Sequence, residues 1–295
     1  MKGPVVILDA TGGIGRAVVQ AAVNAGRPVI AVSPDGPALA ALRAGHRNAE
    51  LIPVIGSIVD EASGAALAAA LRELRRPLAG IIVASCREPA RGRVLEQSND
   101  KLQRILNEEL LPHLTAAREL VPLLAQAGRN GSYIVIGGPG SDQPWAGYGH
   151  RSIAAAATRM LLRVLHDEAR TLAVRVQLLA VEMPARTDDN GERACAQWPS
   201  AVAIGERALA LIDQTDSREP AEAVVRYAWH AAPPLSERRA IDARKSPRPA
   251  PIAKQSFAQP IFDPTDDPSP LRTLDDTWAL LKPLLTATTK KASTP

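Results

Sequence analysis

Through the first two thirds of the chain, short continuous apolar runs alternate with Ala- and Leu-rich stretches of helical period. The runs are "VVILD" (5–9), "PVIAV" (28–32), "LIPVI" (51–55), "GIIVA" (80–84), "YIVIG" (133–137) and "RVQLLA" (175–180). Because they are apolar throughout, they predict strands buried on both faces, not strands with one wet side. The stretches at about 14–25, 37–44, 60–74, 99–126 and 148–170 predict helices between them, with a bend or break in the fourth at Pro112 or Pro122. This alternation predicts an α/β fold: a doubly wound parallel sheet between two helical layers.

The pattern stops near residue 233. Nine prolines fall between Pro233 and Pro270 among charged and small polar residues, which predicts an irregular extended arm. Beyond it Leu274, Trp278, Leu281 and Leu285 recur at helical spacing, and Thr273 with Asp276 can cap the start. Three parts follow: an α/β domain over 1–232, a proline-rich arm over 233–270, and a short docking helix and tail over 271–295. The helix has its own domain or a neighbouring subunit as its docking surface, and disorder as the third outcome.

Composition removes several classes of function. With 46% hydrophobic residues in 295, one substantial core is within reach. The formal charge of +4 comes from scattered arginines, which predicts a solvated basic surface that tolerates an acidic ligand. Aromatics are 3% and no basic stripe is interleaved with them, so no nucleic-acid partner is expected. Cys86 and Cys195 form no C-x-x-C pair and the five histidines lack ligand spacing, so no metal is expected. No run reaches membrane-span length and no apolar leader opens the chain, so the expected setting is cytoplasmic, without a membrane partner.

The stretch "LDATGGIG", residues 8–15, follows the first strand and opens the first helix. In that context Gly12, Gly13, Ile14 and Gly15 are candidates for bringing backbone N–H groups and a helix N-terminus to a phosphate. The alternative is a glycine turn that only packs helix on sheet. Asp9 is out of character at such a turn, since its carboxylate faces the same place. After the second strand, Ser33 and Asp35 are candidates for an adenosine ribose, with Asp35 favouring NAD over NADP; as a turn residue after proline, Asp35 has an equally simple explanation.

From about residue 3 to 230 the chain resembles the short-chain dehydrogenase/reductase family, whose first turn reads T-G-x-x-x-G-x-G. Gly13 and Gly15 match it, and Leu8 and Asp9 replace its Thr and first Gly. "RILNEELLPHL" resembles the helix with the catalytic Asn, here Asn107, and "GSYIVIGGPGS" the fifth strand. "GYGHRSIAAAATRMLLRVLHDEA" is similar to the Y-x-x-x-K helix, and "VRVQLLAVEMPART" to the sixth strand and a loop ending at Thr187. The resemblance implies a Rossmann-like fold, NAD or NADP as cofactor, and homodimers or homotetramers formed through the helices at 99–126 and 148–170. It also implies Ala84 and Glu182 at the cofactor, in place of the family's N-N-A-G and P-G. The family's last strand, ending V-D-G-G, has no counterpart here.

The resemblance carries Tyr148 and Asn107 over as catalytic positions, but Ser152 stands where the family has Lys, and Gly137 or Gly138 where it has Ser. Bringing a tyrosine from pKa 10 to about 7 takes roughly 4 kcal/mol of phenolate stabilisation. An ammonium supplies that; a hydroxyl does not. A lost oxyanion donor costs about 2.7 to 4 kcal/mol more in comparable sites. Asp9 and Glu182 put two carboxylates beside an anionic cofactor, with Arg16 and Arg87 as candidate counter-charges. Tyr148 with His150 as an acid–base pair, and Cys86 at the mouth of the fourth strand, are weaker candidates. The expected function is a degenerate family member, a pseudoenzyme that binds a small molecule or assembles as a subunit, alone or with an active relative. The alternatives are a divergent NAD(P)-dependent oxidoreductase using Tyr148, and a cofactor-independent lyase, cyclase or isomerase in the same cleft.

Overall fold

The structure is a computed structural model that describes residues 3–85, 91–127, 131–214 and 221–228. All of these belong to the first of two units, residues 1–238. The proline-rich arm and docking helix expected over 233–270 and 271–295 lie outside the described residues, as do Cys86 and Arg87.

Seven parallel strands form one sheet in the order β3-β2-β1-β4-β5-β6-β7. They are β1 (Val5–Leu8), β2 (Val29–Ser33), β3 (Leu51–Ile55), β4 (Gly80–Val83), β5 (Ser132–Gly137), β6 (Arg175–Ala180) and β7 (Val224–Arg226). The period of two sends successive side chains to opposite faces, and each face has its own core. Val5 and Ile7 of β1, with Val29 and Ala31 of β2, enter one core with Val18 and Val19, Leu39, and Ile204 and Ala208. Val6, Leu8, Ile30 and Val32 enter the other, with Leu67, Leu120 and Leu162. The first layer is therefore α1 (Gly13–Asn24), α2 (Gly36–Gly45) and α7 (Ala201–Asp213), and the second α3 (Glu61–Glu73), α5 (Leu111–Gln126) and α6 (Gly149–Ala169). Most of these side chains have less than a tenth of their surface exposed, and each fully buried Val, Leu or Ile contributes about 1.5 to 3 kcal/mol.

Three differences from the sequence pattern have physical reasons. The long helix at 99–126 is two: α4 (Asn99–Glu109) ends before Leu110, and Pro112 sits in the first turn of α5, where a missing N–H costs nothing. Pro122 does not break the helix and lies inside α5. Second, α7 was not anticipated; Ser200 caps it, accepting from the Val202 N–H at 3.2 Å, and it lies against α1 so closely that a Cβ on Gly205 would be 2.9 Å from the Val18 Cα. Third, the last strand expected to be missing is present as β7, pairing with β6 over Leu178–Ala180. Its three residues carry no V-D-G-G signal, and β-ladder pairing at a sheet edge does not need one.

Candidate functional site

β1 and β4 are neighbours whose crossovers run to opposite sides, so a crevice opens at their C-terminal ends, where open α/β sheets take ligands. The turn after β1 lies there. Asp9 adopts φ +59, the left-handed region in which glycine is at ease and Asp is among the tolerated exceptions. Its carbonyl accepts from the Gly12 N–H at 3.1 Å. At Gly15 a Cβ would be 1.9 Å from that same carbonyl oxygen, so only glycine lets α1 approach the turn. The sequence candidates at Asp9, Gly12, Gly13, Ile14 and Gly15 are thus gathered in one place, with Ile14 turned into the core.

The second strand holds that turn. The Ser33 hydroxyl is 2.7 Å from the Thr11 hydroxyl and accepts from the Asp35 N–H at 3.2 Å, and Asp35 caps α2 by accepting from the Ala38 N–H at 2.9 Å. Both ribose candidates therefore have structural partners. Ala84 continues β4 as a buried residue, its N–H donating to the Leu8 carbonyl at 3.2 Å.

A loop from the far side closes on the turn. Thr187 and Asn190 form a reciprocal capping box, and Asn190 also donates to the Ala185 carbonyl at 3.0 Å. Between them Asp189 forms an ion pair with Arg16, whose guanidinium also donates to the Thr11 carbonyl at 2.7 Å. An Asp189 carboxylate oxygen lies 2.9 Å from where a Gly13 Cβ would be, and an Asp9 oxygen 3.0 Å from the same point on Gly12. Two carboxylates therefore border the first turn of α1. Arg16 serves Asp189, and Glu182 is served by Arg159 at 3.4 Å and by the Ser141 hydroxyl at 3.2 Å; Arg87, the other expected counter-charge, lies outside the described residues.

Beneath the turn is a cavity of about 310 Å³ lined by Asp9, Ser85, Glu109, His113, Gly138 and Arg151, among others. Glu109 ends α4 and Arg151 lies in the first turn of α6; they pair at 3.4 Å. The Arg151 guanidinium reaches toward Gly138, where an added Cβ would be 3.6 Å away. His113 is buried in α5, and burial pulls its pKa down to about 4, so it is neutral near pH 7.

The expected catalytic pair is elsewhere. Tyr148 is not in the cavity lining. Its ring stacks on Trp145 at 4.1 Å, and its hydroxyl accepts from Arg91 Nε at 2.8 Å, a bond that raises the guanidinium pKa further. Ser152 is buried: its hydroxyl accepts from the Trp145 N–H at 2.9 Å and donates to the Tyr148 carbonyl at 3.2 Å, fixing the loop before α6. Asn107 is exposed on α4 and does not line the cavity, and His150 is buried without lining it either. The only lysine among the described residues is Lys101, at the start of α4. Among the described residues no group of three His, Cys, Asp or Glu is placed to hold a metal, and no helix is long and apolar enough to cross a membrane.

The sequence missed Glu109, His113, Arg151 and Asp189. Helical spacing was the available signal for the first three: 109, 112 and 113 share one face across the break, as do 151, 155 and 158 on α6, and all six line the cavity. Asp189 carries no signal of its own in sequence.

The short chain dehydrogenase family model matches residues 4–195. None of the curated proteins matches the chain. Among solved structures, an NADPH-bound short chain oxidoreductase from Pseudomonas aeruginosa PAO1 containing an atypical catalytic center superposes with a TM-score of 0.66 at 17% identity, over 78% of this chain and 98% of that one. A short-chain type dehydrogenase/reductase from Mycobacterium ulcerans gives 0.67 at 15% identity, over 76% and 87%. L-sorbose reductase from Gluconobacter frateurii, complexed with NADPH and L-sorbose, gives 0.64 at 15%, over 78% and 96%. At these identities the likenesses carry the fold.

Proposed function

Since the chain belongs to the short-chain dehydrogenase family, which is of the oxidoreductase type, we propose that it is a degenerate member: a binding or assembly protein that does not perform the family's tyrosine-driven carbonyl reduction. The observation that carries this reading is Tyr148. Its phenol is committed to Arg91 outside the cavity, and the residue four positions on is a serine consumed by backbone contacts. Among the described residues no ammonium lies beside it to stabilise a phenolate. The turn also fits a dinucleotide poorly, because the pyrophosphate would meet the carboxylates of Asp9 and Asp189 at the end of α1, where this family's cofactors are expected to sit. The cavity with its Glu109–Arg151 pair remains a place for a small polar molecule.

Full-length protein assayed with NADH and NADPH against a panel of aldehydes and ketones is expected to show no turnover above buffer. Turnover that disappears in Tyr148→Phe would overturn the proposal. It would favour the second reading, a divergent NAD(P)-dependent oxidoreductase, which draws support from the NADPH held by the Pseudomonas neighbour with its atypical centre. Self-association belongs to the same proposal. Ile153, Met160 and Val164 are exposed along the outer face of α6, an apolar strip suited to a second copy or to an active relative.

A further inference from the structure

We propose that the cavity beneath the turn after β1 binds a small organic amine, with the ammonium held between the acidic end of α4 and His113 and the apolar body against the sheet. The inference rests on the proposed reading of this cavity as a place for a small polar molecule, and it names the chemical class. Among the described residues that line the cavity, Asp9, Glu108 and Glu109 are acidic and Arg151 alone is basic. Arg151 is paired with Glu109 at 3.4 Å, and both side chains are largely buried, with 12% and 23% of their surface exposed. The guanidinium is thus already answered by a carboxylate. An entering anion meets an excess of negative charge, and an entering cation is drawn to it.

A second observation is independent of that charge. His113 is 8% exposed and lines the cavity, and its buried Nδ1 has no hydrogen-bond partner among the described residues. Buried polar groups are nearly always paired, so this ring is short of a partner that a ligand can supply. Burial keeps the imidazole neutral near pH 7, so one ring nitrogen is an acceptor and the ring does not repel a cation. Glu109 and His113 share one face across the break between α4 and α5. An ammonium has three donors and no acceptor, and a carboxylate accepts at about four lone-pair sites, so one ammonium can meet both groups while Glu109 keeps Arg151. Leu8, Val32, Val135 and Leu178, from four strands, give the rest of the ligand an apolar wall.

The test is calorimetric titration of the full chain with butylamine and phenethylamine, beside phenethyl alcohol and hydrocinnamate as neutral and anionic probes of similar shape. Phenethylamine is expected to bind about ten-fold or more tightly than the alcohol, and hydrocinnamate more weakly than either. Glu108→Gln removes a charge from the exposed edge of the cavity, and is expected to weaken phenethylamine about three-fold or more while leaving the alcohol unchanged. Asp100→Asn removes the same charge from α4 away from the cavity and is expected to change neither. His113→Leu, in protein that still melts cooperatively, is expected to weaken phenethylamine about five-fold or more. Tighter binding of hydrocinnamate, no binding of either amine, or an equal loss in Asp100→Asn overturns the amine site. Equal affinity for amine and alcohol overturns it too, while leaving the cavity a place for polar molecules. Full affinity in folded His113→Leu overturns the imidazole contact. None of these readouts involves turnover, so amine binding and the loss of carbonyl reduction fail separately.

Discussion

Two buried polar side chains show how individual residues set the stability of this core. Tyr133 is fully buried in β5, its hydroxyl lacks a hydrogen-bond partner among the described residues, and burial raises its pKa. Burial favours its neutral phenol over the phenolate. His113 matters more, because its folded pKa of about 4 lies well below the usual value of about 6.5. Between those values the unfolded chain takes up a proton that the folded one refuses, so stability rises with pH through that window. The contribution is complete above about pH 6.5 and is lost as pH falls toward 4, by an amount on the order of 3 kcal/mol. Melting temperatures of wild type and His113→Leu from pH 7 to 4 should diverge in slope, with the wild type falling faster; parallel curves would count against a buried neutral imidazole.

Among elements, α1 and α6 differ in how much their sequence revealed. The apolar runs made six strands readable, because a strand buried on both faces has no polar residue to confuse the pattern. The glycines of the first turn were readable for the same local reason. The contact that makes Gly15 obligatory is between neighbours in sequence, and Gly15→Ala is expected to cost more than about 2 kcal/mol as the α1 end is pushed off the turn, measured as a lower urea midpoint. A variant as stable as wild type would mean that the turn yields. Tyr148 was readable as a residue but not as a direction. It is the N-cap of α6, with φ −131 and ψ 44, so its side chain leaves the face that Arg151, Ala155 and Thr158 present to the cavity. Asn107 likewise sits two residues from Glu109, and two residues on a helix is about half a turn. The pairing of Asp189 with Arg16 joins positions 173 apart, which no local pattern reports.

For the whole molecule, the proposed α6 strip is the feature to test. Sedimentation of wild type is expected to show a dimer or larger species, and Met160→Glu to shift it to monomer with an unchanged circular dichroism spectrum. A monomeric wild type would remove α6 as an interface. The packing of α7 on α1 has a different consequence. Arg27, after α1, is buried against Asp213 at the end of α7, and Gly205 seats on the backbone of Val18. The first helix made is thus completed by the last one among the described residues. The apolar side of α1 is covered in part by β1, β2 and α2, but the close approach of α7 joins Arg27 and Asp213, 186 positions apart in sequence. A pairing so distant in sequence carries a loop-closure cost that contacts between neighbouring elements do not, and this cost slows the completion of the layer.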